Sequence, residues 1–290
     1  LRFEAAVAAG VPVLGPLVWD LGANRVTALR GIVNGTTNYI LSTMAAEARD
    51  YHEVLREAQA RGYAEADPSS DVEGLDATYK LTLLMRLAFD GWPDVDAVRR
   101  SVPSFGAHDQ PGITGVARSH LGAAARLGLT IKLIARAQRA PDGRLWAGVT
   151  PMAVSATSPL GSTHGVTNLL HFDADPVGRV TMAGPGAGGA ATASAVLADL
   201  LVLAKSSAST WEQLPPASSV AVEDDLTVER GWLVVLEGLG AGAFPDAVRE
   251  LALATTDEGF VSRPVSLTMV AGRLATFERA MAAYPVLSDA

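Results

Sequence analysis

The sequence predicts an α+β protein whose helices and strands are segregated along the chain. Three observations carry this. Helical spacing dominates up to about residue 89, extended patterns begin at about residue 129, and residues 231–287 follow a βαββαβ order. The 290 residues are 49% hydrophobic and 19% charged, enough to bury a core and too little charge for a disordered chain. No internal repeat or low-complexity segment interrupts the pattern.

The elements follow in order. Glu4–Ala9 reads as the end of a helix stopped at Gly10, and Val11–Leu14 as a short buried strand. Val26–Val33 is rich in β-branched residues and ends at Asn34-Gly35, a turn signal; Thr36 or Thr37 then caps a helix reaching about Ala48. Asp50 with Glu53 resembles a capping box, and Tyr51, Val54, Leu55 and Ala58 continue that helix to Gly62. Ser70 with Glu73 gives a second capping box for a helix over about Val72–Phe89, with Leu75, Tyr79, Leu83 and Leu87 as its buried stripe and Gly74 weakening its first turn. Strands are predicted at Leu129–Ala137, Leu145–Val149, Val166–Phe172 and Val177–Ala183, the last two joined through Asp173-Ala174-Asp175-Pro176. A nearly uniformly apolar helix follows over about Ala191–Lys205, then a Ser- and Pro-rich linker over 206–225. The tail reads as strand Gly231–Glu237, helix Phe244–Ala254, strands Gly259–Arg263 and Val265–Ala271, helix Leu274–Ala283 and a last strand Pro285–Leu287.

Composition excludes several function classes. The net charge of −8 and pI near 5.1 disfavour nucleic acid or an anionic membrane as the main partner. With no cysteine, disulfides, zinc-thiolate sites and thiol catalysis are excluded, which fits a reducing cytoplasm. The five histidines show no ligand spacing, so no transition metal is expected. No apolar run reaches the ~18 residues of a membrane span, and no signal peptide is visible. The chain opens on Leu1 in mid-pattern for a helix, as a chain lacking its beginning would.

The chemistry concentrates in GYAEADPSSDVEGLDATYK, residues 62–80. Glu65, Asp67, Asp71, Glu73 and Asp76 precede a single cation, Lys80. Asp76 and Lys80 are four residues apart and share a helix face. One reading is a surface ion pair contributing ~0.3–0.5 kcal/mol. The other takes Asp67-Pro68 as a rigid turn that holds acids near a helix N-terminus, where a zwitterion would find carboxylates for its ammonium and a lysine for proton exchange.

The same segment resembles the substrate-binding and catalytic segment of homoserine dehydrogenases. FEAAVAAGVPV (Phe3–Val13), GIVNGTTNYIL (Gly31–Leu41) and GPGAGG with TASAV (Gly184–Gly189, Thr192–Val196) resemble three further motifs of that family, in family order across residues 1–206. The resemblance implies a mixed β-sheet with helices on one face, and interconversion of L-homoserine and L-aspartate 4-semialdehyde with NADP or NAD. It implies Lys80 as the proton-transfer lysine with Asp76 beside it, and Glu65 and Asp71 as carboxylates that hold the substrate. It places Gly188 where the backbone approaches the cofactor, and Glu4, Val7, Ala9 and Val11 at a sodium site built largely from carbonyls. It further implies a homodimer or higher homo-oligomer, a domain at 1–206, a linker at 207–226 and a small amino-acid-binding regulatory module of the ACT type at 227–290.

There are departures. The family's Rossmann domain and a second lysine near the substrate are absent, so little activity is expected of this chain alone, and helix 191–205 is expected to expose its apolar surface. Ser158-Pro159-Leu160 stands where the family often has His-Pro-Leu. The tail lacks the usual Asp-x-Pro-Gly-Val-Leu pattern in its loop at 238–246. The competing reading is a non-catalytic amino-acid-binding regulatory protein derived from the same family.

Overall fold

The computed structural model describes residues 1–102, 104–105, 109–205, 209–210, 212, 214, 216, 218–224, 228–236, 249–274 and 281–287. Its frame is one sheet of antiparallel hairpins. Strands β1 (Arg25–Ile32), β4 (Leu129–Arg139), β5 (Leu145–Ser155), β6 (Thr167–Asp175) and β7 (Gly178–Pro185) lie in the order β5-β4-β1-β6-β7. β4 pairs β5 from Leu129↔Ser155 to Arg139↔Leu145, and β1 lies between them and the β6–β7 hairpin through Leu29↔Ala137 and Leu29↔Phe172.

The two faces of this sheet differ. Leu29, Ile131, Leu133, Ala135, Ala137 and Phe172 pack with helical residues such as Ile40, Val54, Leu81, Leu84 and Leu121 in one core. These belong to helices α2 (Gly35–Glu47), α3 (Tyr51–Ala60), α5 (Leu75–Phe89) and α6 (Arg118–Arg126). The alternate residues Ile32, Ile134 and Leu169 gather with Met152, Val154 and Leu160 in a separate cluster that contains no helical residue. Alternation along the strands thus puts helices on one face.

Two early elements differ from expectation. Residues 11–13 form no strand; instead α1 (Leu14–Val18) begins there, because the Glu4 carboxylate accepts from the amides of Val13, Leu14 and Gly15 at 2.6, 2.8 and 2.7 Å. An acid donated from outside the helix satisfies its orphan N–H groups. The expected helix over Val72–Phe89 is divided. Gly74 adopts φ 81° and separates α4 (Ser69–Val72) from α5, a left-handed position that a helix cannot continue through. No side-chain cap from Ser70 or Asp50 is made; Asn34, not Thr36 or Thr37, caps α2.

The buried stripe of α5 is also rotated from the expected one. Of the expected four, Leu87 is buried, Leu75 and Leu83 are partly buried and Tyr79 is 52% exposed, while Ala77, Leu81, Leu84, Met85 and Phe89 complete the buried face. The apolar residues of this helix span more than one face, so periodicity alone left the choice open, and the sheet selected the face that turns Lys80 outward. Helix α7 (Gly189–Lys205) buries only Ala195 and exposes Leu197, Leu200 and Leu201, as expected of it.

Beyond α7, the segment expected to be a linker contains two short strands. β8 (Ser218–Val220) pairs in parallel with β2 (Gly91–Pro93), and β9 (Val222–Asp224) with β5. The tail strands β10 (Trp232–Leu236), β11 (Ala252–Thr255), β12 (Gly259–Ser262) and β13 (Met281–Leu287) follow the antiparallel order β11-β12-β10-β13. β13 then pairs in parallel with β5 through Val286↔Ala153, so the tail sheet continues the main sheet, and its other end pairs with β3 (Ser104–Phe105).

The tail registers differ from expectation. Residues 265–271 do not form a strand: Ser266 Oγ accepts from the Met269 amide at 3.2 Å and starts α8 (Leu267–Leu274), which buries Val270 and Leu274 against Trp232 and Phe260. The β-branched residues misled the reading, whereas the cap and the four-residue spacing of Val270 and Leu274 decide the structure. Ala252–Ala254 is strand rather than helix, and so are residues 281–283. Leu274 ends α8, whereas residues 244–248 and 275–280 of those two expected helices, and the loop at 238–246, lie outside the described residues. No helix of the described residues is long and apolar enough to cross a membrane.

Candidate functional site

Three helical elements and the end of β1 meet around Asn34. Asn34 sits at the N-cap of α2 with extended backbone (φ −127°, ψ 113°), and its Oδ1 accepts from the Thr37 amide at 2.9 Å and from Thr37 Oγ1 at 3.0 Å. This fixes the amide plane and leaves Nδ2 to point outward, where it donates to Asp71 Oδ1 at 2.7 Å and Asp76 Oδ2 at 3.0 Å. Lys80 Nζ donates to the same Asp76 oxygen at 2.6 Å and to the Val33 carbonyl at 3.2 Å. One buried amide therefore joins α4 and α5 and ties both carboxylates to the end of β1.

The geometry gives this group a wet side and a dry side. Asn34 is 5% exposed, while the Lys80 and Asp76 side chains keep 19% and 31% of their surface. The ammonium is held at the rim and open to a small ligand. Asp71 is half-buried beside it. Glu65, the fourth residue of the expected set, is exposed; its backbone carbonyl accepts from Gln59 at 3.1 Å, and its carboxylate makes no hydrogen bond or ion pair among the described residues. The structure thus brings Asp71, Asp76 and Lys80 together and leaves Glu65 outside the bonded group.

Beneath the cap lies a second polar group that the sequence reading missed. Lys132, on β4, is 1% exposed, and its Nζ donates to Asn38 Oδ1 at 3.0 Å, Ser42 Oγ at 2.8 Å and the Thr163 carbonyl at 2.8 Å. All three acceptors are neutral, so burial pushes the ammonium down to about 8. His164 is pushed below its ordinary value as well, first by burial and then by the Lys132 charge. Asn38 also donates to the carbonyl of Gly165 at 2.9 Å. Since Asn34 and Asn38 are one helical turn apart, Lys132 anchors the helix whose first turn holds the carboxylates. Both groups left a signal: Asn34 preceded Thr37 at capping distance, and Lys132 interrupted the apolar run Ile131–Ile134.

Two strands across from the end of β1, just past β7, Gly188 adopts φ 108° and nothing lies within 4 Å of where its Cβ would be, so a ligand can approach the backbone there. The turn at residues 7–11 is buried, with Val7 at 0%, Ala9 at 6% and Val11 at 2% exposure. Ala8 and Ala9 take the left-handed backbone at φ 55° and 24°. Among the described residues no donor reaches the carbonyls of Val7, Ala9 or Val11, and there is no cluster of three or more His, Cys, Asp or Glu side chains around which a metal could sit.

Comparison with known proteins follows this geometry. The homoserine dehydrogenase family model matches residues 12–201. A homoserine dehydrogenase of Mycobacterium tuberculosis is 39% identical over 274 residues, covering 90% of this chain and 60% of the relative. That of Bacillus subtilis is 42% identical over 206 residues, covering 71% and 45%. Among solved structures, a homoserine dehydrogenase from Thiobacillus denitrificans superposes with a TM-score of 0.83 at 29% identity, covering 99% of this chain and 70% of that one. A hyperthermophilic archaeal homoserine dehydrogenase in complex with NADPH gives a TM-score of 0.55 at 28% identity, covering 68% and 53%. The chain therefore spans about 60% of the length of the mycobacterial relative. By the family match, the shared identity and the common fold, the chain belongs to the homoserine dehydrogenase family.

Proposed function

We propose that this chain carries the homoserine-binding and proton-transfer part of an NAD(P)-dependent homoserine dehydrogenase, which interconverts L-homoserine and L-aspartate 4-semialdehyde. The observation that carries the reading is the Asp71–Asn34–Asp76–Lys80 array. Asp71, with Glu65 at the rim, binds the substrate ammonium. Asp76 and Lys80 orient the hydroxyl. In the oxidation the hydroxyl proton passes to this pair; in the reduction the Lys80 ammonium, steered by Asp76 and the Val33 carbonyl, returns a proton to the aldehyde oxygen. When bound, the NAD or NADP nicotinamide accepts or returns the hydride. Gly188, with open space at its Cα, is where the backbone meets it.

The sodium assignment fits the chain. Buried carbonyls of Val7, Ala9 and Val11, which no donor among the described residues reaches, are the oxygen ligands a hard cation takes. Glu4 holds the turn by capping α1. The tail order β11-β12-β10-β13, with α8 on one face, is that of a βαββαβ sandwich, which supports an ACT-type regulatory module over 227–290, after a catalytic domain over 1–206 and the segment 207–226. Threonine is the effector this reading names, and a thermal shift at millimolar threonine is its test. β7 forms one end of the sheet, which suits assembly as a homodimer or higher homo-oligomer in the cytoplasm.

Calorimetric titration of the chain with L-homoserine tests the main reading. Binding that Asp71→Asn weakens and Lys80→Ala largely preserves is the expected result, with turnover in Lys80→Ala down by about 10²–10⁴ wherever the parent turns over. Wild-type chain that takes up no homoserine at millimolar concentration overturns it, and binding without turnover in the assembled parent favours an amino-acid sensor instead.

A further inference from the structure

Under the glycine loop that joins β7 to α7 lies an amide with nothing to bond. Asn168, in β6, is 0% exposed, and among the described residues neither its Nδ2 nor its Oδ1 has a hydrogen-bond partner. A Cβ on Gly186 would lie 2.1 Å from Asn168 Cγ, 2.2 Å from Nδ2 and 2.3 Å from Oδ1, so the backbone of the loop rests directly on this amide. The register Ile32↔Leu169, carried one residue further, sets Asn168 across from Val33. The Val33 carbonyl is the one that holds Lys80 Nζ. On its other side Asn168 pairs with Gly184, and α7 begins at Gly189. A spare donor and a spare acceptor therefore stand between the anchor of the proton-transfer lysine and the start of a 17-residue helix.

A buried amide without partners destabilises the state that contains it, and native proteins almost always satisfy such groups. An apolar residue of the same shape would fit the space at no such cost. Retention of asparagine is accounted for if its partners arrive in another state of the protein. The neighbouring loop is the element able to supply them: Gly186 has no side chain to hold it away, and Gly188 is open toward solvent.

We propose that Asn168 is a positioning residue for the glycine loop: its amide captures peptide groups of residues 186–188 when a nicotinamide dinucleotide settles against Gly188, and so fixes the loop beside Lys80. This rests on the cofactor reading above. The arrangement ties cofactor binding to the strand that carries the Val33 carbonyl, so that the loop and the lysine are set together.

The test compares wild-type chain with Asn168→Leu, which keeps the branched outline at a larger volume and removes the amide, with Asn168→Val, which removes the amide with less added bulk, and with Asn168→Ala, which also leaves a cavity. Melting is followed by circular dichroism, and binding by NADPH fluorescence. The expected result is a pair of opposite effects. Asn168→Leu melts about 3 °C above wild type, because an unpaired buried amide is gone, and binds NADPH about tenfold more weakly, because about 1.4 kcal/mol of loop capture is lost. Asn168→Ala binds NADPH as weakly as the leucine variant but melts below wild type, because it leaves a cavity. Asn168→Leu and Asn168→Val proteins that both melt below wild type overturn the proposal, since the amide is then already satisfied in the free chain, for example by a buried water; a loss in the leucine variant alone reads as overpacking against Gly186, and the valine variant then decides. An unchanged NADPH affinity in Asn168→Leu overturns it as well. Wild-type chain that does not bind NADPH removes the cofactor reading instead, and hydrogen exchange then decides the loop role: unchanged protection of the 186–189 amides in Asn168→Leu overturns it, and faster exchange supports it.

Discussion

Replacing Lys132 by methionine isolates the energetics of the ammonium beneath the site. The chain has three lysines, Lys80, Lys132 and Lys205, so the lysine signals are few and separable. Burial lowers Lys132 from 10.5 to about 8. The unfolded chain then binds the proton more tightly than the folded one, and between pH 8 and pH 10.5 stability rises with pH. At about 1.4 kcal/mol per unit, the gain across this window is about 3 kcal/mol. Below pH 8 the full penalty is present. Lys132→Met has no such group, so urea unfolding of the two proteins should give a stability difference that moves in favour of wild type by about 3 kcal/mol from pH 8 to pH 10.5. Tyr39, Tyr51 and Tyr284, each raised by burial, titrate in both proteins and cancel in the difference, and His164 titrates below the window. Lysine-selective NMR supplies the direct check: one of three signals titrates near 8. If no lysine signal titrates near 8 and the two stability curves stay parallel, the three neutral acceptors hold the charge without penalty, and the account of this buried cation is wrong.

Four further outcomes follow from the packing. Asn34→Ala removes a helix cap and the link between Asp71 and Asp76; denaturant unfolding should show a loss of about 1–2 kcal/mol, together with weaker homoserine binding. Leu81→Ala should cost about 2–5 kcal/mol, whereas Tyr79→Ala, at a position 52% exposed, should leave unfolding within about 0.5 kcal/mol of wild type. Gly74→Ala forces a side chain onto φ 81° with a Cβ contact of 3.3 Å to Val149, and should destabilise by about 1–2 kcal/mol in thermal or urea unfolding. Tyr284→Phe removes the 2.6 Å hydrogen bond between the tail and His120 of α6, and should cost about 1 kcal/mol, read as an earlier loss of tail structure in hydrogen exchange.

The sheet was legible because its strands are extended, largely apolar runs, several of them bounded by turn residues. Leu129–Ala137 and Leu145–Val149 were placed by local alternation, and the Asp173–Pro176 connection was marked by turn residues. What failed depended on partners remote in sequence. The Glu4 carboxylate, nine residues away from Val13, makes a helix where the local run reads as a strand. Gly74 was noted as a weak point, yet whether a glycine only loosens a helix or divides it depends on what the neighbouring segment must reach. Here the division lets Asp71 and Asp76 converge on one amide. In the tail, β-branched residues outvoted a serine cap, and the apolar contacts that favour α8 come from Trp232 and Phe260.

The site shows the same limit more sharply. The spacing of Asp76 and Lys80 was enough to place both on one turn, since helical geometry guarantees it. Nothing in residues 62–80 could say that their partner would be Asn34, because that contact exists only when α2, α4 and α5 are assembled on the sheet. Sequence could name the charged groups; it could not weigh them, because the weight comes from the neutral groups around them. Lys80 is held at the rim by a carboxylate and a carbonyl, whereas Lys132 is saturated by three neutral oxygens and shut away. The two cations sit on the same scaffold, one linked through Asp76 to Asn34 and partly exposed, the other bonded to Asn38 and buried. In the proposed reaction the lysine that exchanges a proton with substrate needs the first setting, and the second holds the helix that provides it. The difference is set by the neighbours that each lysine meets in the assembled fold, Asp76 and the Val33 carbonyl for one and Asn38, Ser42 and the Thr163 carbonyl for the other, so it follows from topology rather than from residue type.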